Sequence, residues 1–163
     1  MAHYNFKRDL EDSQKAVDIV LGHLIDRGYT AHELEGKTEQ KYGDIRYYRS
    51  DEPVNVEVKY DLMSRKTGNL CFEMSNGRGP TGIMKTKANL VVYICPAEVG
   101  HVGYVFKIDK LKEYICRIGN TSVQIKNGGD RRSFTLALVK IDTIISDEIV
   151  SEIWNFENAQ LPI

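Results

Sequence analysis

At 163 residues, with 42% hydrophobic and 28% charged side chains, the chain is long enough to bury one continuous core and too short for two, so a single domain over residues 1–163 is expected. A formal net charge of −1 excludes a protein that coats nucleic acid through bulk electrostatics and leaves any such contact to local patches. No apolar run approaches the ~20 residues of a membrane span, and residues 1–15 are too polar for a signal peptide, which predicts a cytoplasmic protein with no membrane partner.

The elements follow in chain order. Leu10, Ala16, Val17, Val20, Leu21, Leu24 and Ile25 recur at helical spacing and predict an amphipathic helix from about Leu10 to Arg27, ended by Gly28 and packed on a sheet. Tyr29 to Leu34 reads as a short strand and the polar stretch Glu35 to Lys41 as a loop. Tyr42 to Tyr48 and Val54 to Tyr60 read as antiparallel strands joined by a hairpin loop of Arg49, Ser50, Asp51, Glu52 and Pro53. Leu70 to Met74 is a further strand; Asn76, Gly77, Gly79, Pro80 and Gly82 make a turn-rich loop, and a short helix is expected from Gly82 to Ala88.

The unbroken apolar run Leu90 to Cys95 has the character of a strand covered on both faces, with Gly103 to Ile108 as its neighbour. Asp109 is placed to cap a helix that runs to Ile118 and stops at Gly119. Phe134 to Ile141 reads as a strand and Asp147 to Phe156 as a closing helix, whose Ile149, Ile153, Trp154 and Phe156 either cap the core or form a dimer interface. Residues Asn127 to Arg132 read as a hairpin tip carrying Arg131 and Arg132. Cys71, Cys95 and Cys116 are far apart and odd in number, offer neither a disulfide framework nor a CxxC zinc site, and are expected to be reduced core residues.

The chemistry concentrates on Val54 to Tyr60. Strand alternation puts Val54, Val56, Val58 and Tyr60 on one face and Asn55, Glu57 and Lys59 on the other, so an acid and a base stand side by side. Cleavage of a phosphodiester needs a divalent cation with hard oxygen ligands, and one carboxylate is rarely enough. Asp44 on the preceding strand is the natural second ligand, provided the register is offset: with Tyr48 opposite Val54, Asp44 would face Val58 and point to the wrong side. An offset pairing, or a bulge, that sets Asp44 across from Glu57 or Lys59 is therefore predicted. Asp44, Glu57 and the Val58 carbonyl would then hold Mg²⁺, with Mn²⁺ as a substitute, while Lys59 orients the attacking water or neutralises charge on the phosphate.

Between Lys59 and Lys87 the chain is distinctly basic. Arg65, Lys66, Arg78, Lys85 and Lys87 make either a nucleic-acid contact or a solvated face, and the glycine-rich run Asn76 to Gly82 either accepts a phosphate on free N–H groups or is a surface turn. Glu73 is open between a further ligand and an exposed strand acid.

The order helix, strand, Asp44 strand, Glu57-Val58-Lys59 strand, helix and apolar strand resembles the core of the PD-(D/E)XK, restriction-endonuclease-like superfamily, which includes Holliday-junction resolvases and small phage nucleases. The match runs from about Leu10 to Ile94, and Gly68 to Met74, Pro80 to Ile83 and Thr86 to Leu90 are similar to what small phage-type members carry after their Glu-x-Lys strand. Gly43 stands where the motif has proline. The resemblance implies an α/β fold with a mixed central β-sheet flanked by helices, and a Mg²⁺-dependent deoxyribonuclease of a bacterial or phage-infected cell, with a possible homodimer. It also allows an acid on the first helix, for which Asp18 or Glu11 could serve. A nuclease fold that binds nucleic acid or a partner without cutting is the competing reading.

Overall fold

The computed structural model describes residues 6–128, 132–159 and 161. The predicted first helix forms as α1 (Phe6–Asp26), with Gly28 beyond its end at φ +89°. Its buried stripe is Asp12, Ala16, Val17, Val20 and Leu24, a strict i, i+4 series with one partner, whereas Leu10 and Ile25 lie on the outer face at 60% and 51% exposure. After β1 (Ala31–Glu33) the polar stretch expected to be a loop is instead a helix, α2 (Gly36–Tyr42). It buries no residue, so it carries no apolar periodicity; its Lys, Glu and Gln residues are good helix formers, and positive-φ glycines bracket it at Gly36 and Gly43.

β2 (Ile45–Arg49) and β3 (Glu52–Tyr60) form the hairpin, and a crossover then runs through α3 (Ser64–Thr67), β4 (Asn69–Asn76), β5 (Gly79–Pro80) and a single 3-10 turn at Gly82–Met84. The helix expected from Gly82 to Ala88 is reduced to that turn. The crossover ends in β6 (Leu90–Pro96), which pairs parallel with β3, and β7 (His101–Lys107) returns antiparallel beside it.

α4 (Ile108–Ser122) starts one residue before Asp109, which is thus its first-turn acid rather than its cap, and it continues through Gly119. β8 (Val123–Gly128) and β9 (Arg132–Lys140) pair antiparallel with Gly128 opposite Arg132; the tip itself, with Arg131, lies outside the described residues. After α5 (Ile141–Ser146) the expected closing helix is replaced by β10 (Glu152–Phe156).

The reason for that difference is tertiary. Glu148 at φ +57° breaks the helix, and Ile149 and Trp154 drop into two different cores, while the open edge of β7 supplies pairing partners from Glu152↔Val105 to Phe156↔His101. Ile153 alone of that apolar cluster is strongly exposed, at 48%.

The architecture is the expected mixed sheet flanked by helices, with one addition. The main sheet has the order β1-β2-β3-β6-β7-β10, and a second, four-stranded sheet has the order β5-β4-β9-β8. One face of the main sheet packs Val56, Val58, Val92, Ile94 and Trp154 against α1. The other face packs Val91, Tyr93 and Cys95 against Leu70, Phe72, Ala137 and Val139 of the second sheet and Leu111 and Ile115 of α4. Of the cysteines, Cys95 is buried, Cys71 half-buried and Cys116 exposed on α4, so the last is not a core residue. Among the described residues no helix is long and apolar enough to cross a membrane.

Candidate active site

The hairpin turn is shorter than the sequence suggested. Ser50 and Asp51 take positive φ, +50° and +66°, in a two-residue turn that leaves Arg49 paired with Glu52, Tyr48 with Pro53 and Ile45 with Val56. This is the offset register, and one further step along it sets Asp44 opposite Glu57. Asp44 lies one residue before β2. Its N–H donates to the Val56 carbonyl (2.8 Å), and its Oδ2 accepts the Val58 N–H (2.7 Å).

Because Val56 and Val58 face α1, Glu57 and Lys59 face the second sheet, on the same side as their β6 neighbours Val91 and Tyr93. Lys59 Nζ sits 2.7 Å from Glu57 Oε1, and the Thr86 hydroxyl donates to Glu57 Oε2 at 3.5 Å. The segment carrying Thr86 is held in place by the Lys87 N–H on the Lys41 carbonyl (2.8 Å) at the end of α2. Beside Glu57, the buried Asn55 anchors the strand: its N–H donates to Asn89 Oδ1 and its Oδ1 accepts Arg46 Nε, both at 2.8 Å.

The electrostatics follow from burial and proximity. Asp44 is pushed up to about 6, first by burial and then by the charge of Glu57, against the opposing pull of the Val58 N–H and Lys59. Burial pulls Lys59 down, but the adjacent Glu57, then Asp44 and Glu73, outweigh it and hold the ammonium above the usual lysine value. Lys59 is thus a fixed cation at the corner, suited to hold a phosphate oxygen and unsuited to accept a proton near neutral pH.

Lys59 also opens onto a cleft of about 690 Å³ at the end of β3, shared with Arg8, Asp12, Asp61, Glu73 and Gly82. Glu73 therefore lies on the cleft side of β4. Gly82, at φ +52°, lets the chain pass so close to the Glu73 carbonyl that a Cβ there would collide with it. Asp61 is spent on structure: its two oxygens accept the Ser64 and Cys71 N–H groups at 3.0 and 3.2 Å.

Two acids of the first helix line this cleft: Asp9, which is exposed, and Asp12, which is buried at 8% exposure with Arg8 and Lys15 each at 3.9 Å. Asp18 lies elsewhere, exposed on α1 and accepting from Gln14 (3.1 Å), whose amide also reaches Glu33 of β1. Glu11 is exposed as well. Asp12 was legible in principle, since the spacing 12, 16, 20, 24 puts it in line with the buried alanine, valine and leucine; counting Leu10 and Ile25 as inner residues obscured that face. Arg65 and Lys66 are exposed on α3, Arg78 in the β4–β5 turn, and Lys85 and Lys87 before β6.

Among the described residues, no group of three or more His, Cys, Asp or Glu side chains is arranged to hold a metal. What the corner offers is a pair of carboxylates, Asp44 with one oxygen free of the Val58 N–H and Glu57 with its oxygens on Lys59 and Thr86. That donor set is all oxygen and fits Mg²⁺, a cation that keeps several waters and takes one or two protein carboxylates together with substrate phosphate.

No protein-family model matches the sequence, and no curated protein matches it. Among solved structures the chain is similar to a bacterial homing endonuclease, I-Ssp6803I, at 18% identity and a TM-score of 0.48, over 61% of this chain and 69% of that one. It is also similar to the Holliday junction resolvase Hjc of Archaeoglobus fulgidus, at 11% identity and a TM-score of 0.42, over 82% of this chain and 95% of that one.

Proposed function

We propose that this chain is a metal-dependent endonuclease that hydrolyses DNA phosphodiester bonds at the corner formed by Asp44, Glu57 and Lys59. The observation that carries the reading is the way Asp44, fastened to the Val58 N–H at 2.7 Å, is brought opposite Glu57, itself 2.7 Å from Lys59. Two carboxylates and an ammonium at one strand end are a charge set that a neutral core does not need. Asp44 and Glu57, with the Val58 carbonyl, would hold Mg²⁺ or Mn²⁺. When bound, the cation supplies a Lewis acid for the scissile phosphate and lowers the pKa of its water.

The remaining work belongs to the chain. Lys59 binds a non-bridging phosphate oxygen, exchanging part of its contact with Glu57 for the substrate, and steadies the negative charge that grows there. Thr86 keeps the Glu57 carboxylate oriented. Asp12 and Glu73 line the cleft into which a cleaved strand end would move. Arg65, Lys66, Arg78, Lys85 and Lys87, all exposed, contact phosphates and set the position of the strand without reading its sequence.

A second reading, a nuclease-fold module that binds nucleic acid or a partner without cutting, is favoured by one observation: Lys59 already occupies Glu57 Oε1, the oxygen a cation would need. Cleavage of plasmid, linear, single-stranded and four-way-junction DNA in Mg²⁺, Mn²⁺ or EDTA separates the two. Metal-dependent cutting by the wild type, reduced at least ~100-fold in Glu57→Gln and in Lys59→Ala, is the expected result. Cutting retained in both variants would remove the proposed site, and no cutting of any DNA would favour the inert module.

A further inference from the structure

The crossover returns to the main sheet through residues 86–90, and there it meets the corner between β7 and α4 in a second groove of about 560 Å³. Its polar lining is Thr86, Lys87, Asn89, Lys107, Lys110 and Lys112, with Asp109 as its one carboxylate. Four lysines against one aspartate leave a local charge of +3 on a chain whose net charge is −1.

The lysines are not neutralised. Lys110 Nζ donates to the Glu148 carbonyl (2.8 Å) and Lys112 Nζ to the Thr86 carbonyl (3.4 Å), both uncharged acceptors that leave the ammonium charges uncancelled. Among the described residues, none of the four pairs with a carboxylate within 4.0 Å. The first turn of α4 opens into the same groove. Its Ile108 N–H is used by the Asn89 carbonyl (3.0 Å), while the N–H groups that follow have no acceptor within the helix and add a positive pole. Like charges gathered along one groove repel one another, and an anion bound there relieves that repulsion.

Thr86 links this groove to the carboxylate corner. Its hydroxyl donates to Glu57 and its carbonyl accepts Lys112, so the two sites share a residue. We infer that the groove binds the phosphate backbone of a DNA duplex flanking the scissile bond, through Lys87, Lys107, Lys110 and Lys112. The inference rests on the nuclease reading for its ligand, and it names the surface that would set the path of the duplex.

The test measures binding without cutting. Fluorescence anisotropy of a labelled DNA duplex in EDTA, from 50 to 200 mM salt, is compared for the wild type, Lys107→Gln, and Lys107→Gln/Lys110→Gln. Each phosphate contact contributes about 0.9 to the slope of log affinity against log salt, so the slope should become shallower by about 1 in the single variant and about 2 in the double. Affinity at the low-salt end should fall about tenfold or more in the double variant. Thermal melts should be unchanged, since Lys107 is exposed and Lys110 is tied to the chain only by its ammonium.

Unchanged affinity and slope in the double variant would overturn the groove. Glu57→Gln separates that failure from failure of the nuclease reading: it should abolish cutting in Mg²⁺ and leave the salt slope in EDTA intact. Persistent cutting by Glu57→Gln would sink the carboxylate corner while the groove is still judged on its slope, and a wild type that binds no duplex would overturn the groove while the corner is still judged on its cutting.

Discussion

In the metal-free protein, Asp44→Asn should be stabilising, and the effect should depend on pH in a defined direction. The Asp44 carboxyl is raised from an ordinary 3.8 to about 6, chiefly by burial and then by Glu57, so the folded chain binds this proton more tightly than the unfolded one. Well below pH 4 the group is protonated in both states and contributes no difference. As pH rises from about 4 to about 6 the unfolded chain releases its proton first and stability falls; above that window, ionised Asp44 costs up to about 3 kcal/mol at ~1.4 kcal/mol per tenfold change in proton affinity. Asparagine keeps an oxygen for the Val58 N–H and carries no charge, so it should recover about 2–3 kcal/mol at pH 8 and almost nothing near pH 4. For a chain of this size that corresponds to a rise in Tm of roughly 5–10 °C at pH 8. Circular-dichroism melts in EDTA across pH 4 to 8 measure it. Adding Mg²⁺ at pH 8 should raise the wild-type Tm and leave that of Asp44→Asn where it was. A variant no more stable than wild type at pH 8, or a gain that persists undiminished at pH 4, would refute the buried acid pair.

Two further outcomes test the scaffold. Phe72 is fully buried and meets Tyr93 and Phe106 edge-on at centroid distances of 4.9 and 6.0 Å, joining the second sheet to the main one; Phe72→Ala should cost about 3–5 kcal/mol, read as a lower urea midpoint. Gly43→Ala places a Cβ 2.7 Å from the Val56 carbonyl oxygen at φ +102°. It should cost about 1–3 kcal/mol and depress cutting beyond what the loss of folded protein explains, in a comparison of Tm with rate at a temperature where both proteins are folded.

What was legible in the sequence was whatever a single repeating pattern encodes. The alternation through Val54 to Tyr60 assigned Glu57 and Lys59 to one face, and the apolar run at Leu90 announced a central strand. The hairpin register was partly within reach, since Asp51 is a residue type that tolerates the left-handed region, and the two-residue turn at Ser50 and Asp51 brings Asp44 opposite Glu57. Three features were hidden because no local pattern writes them. α2 buries nothing and so has no periodicity to read. β10 contains residues that fit a helix as well as a strand, and the open edge of β7 decides between them. The second sheet takes β4 out of the main sheet and pairs it with β9, whose partner residues lie sixty or more positions further along the chain, although β4 by itself reads as any other strand.

The delivery of Asp44 shows why one of those hidden features matters to the site. Side-chain alternation binds residues within a strand, yet Asp44 precedes β2, so its direction is set by how the chain leaves α2. Gly43 closes that helix with its N–H on the Glu39 carbonyl (2.9 Å) and takes φ +102°, which brings its Cα side against the Val56 carbonyl. A proline, held near φ −65°, could neither adopt that conformation nor donate that hydrogen bond. Glycine at position 43 is therefore a conformational requirement of this chain: it lets α2 run directly into the acid. The close approach lets the Asp44 N–H reach the Val56 carbonyl, and the carboxylate then folds forward onto the Val58 N–H. The Asp44 carboxylate is thereby held by a helix end and by two hydrogen bonds with the backbone of β3, and burial first, then the opposing carboxylate of Glu57, makes that position costly when no cation is present.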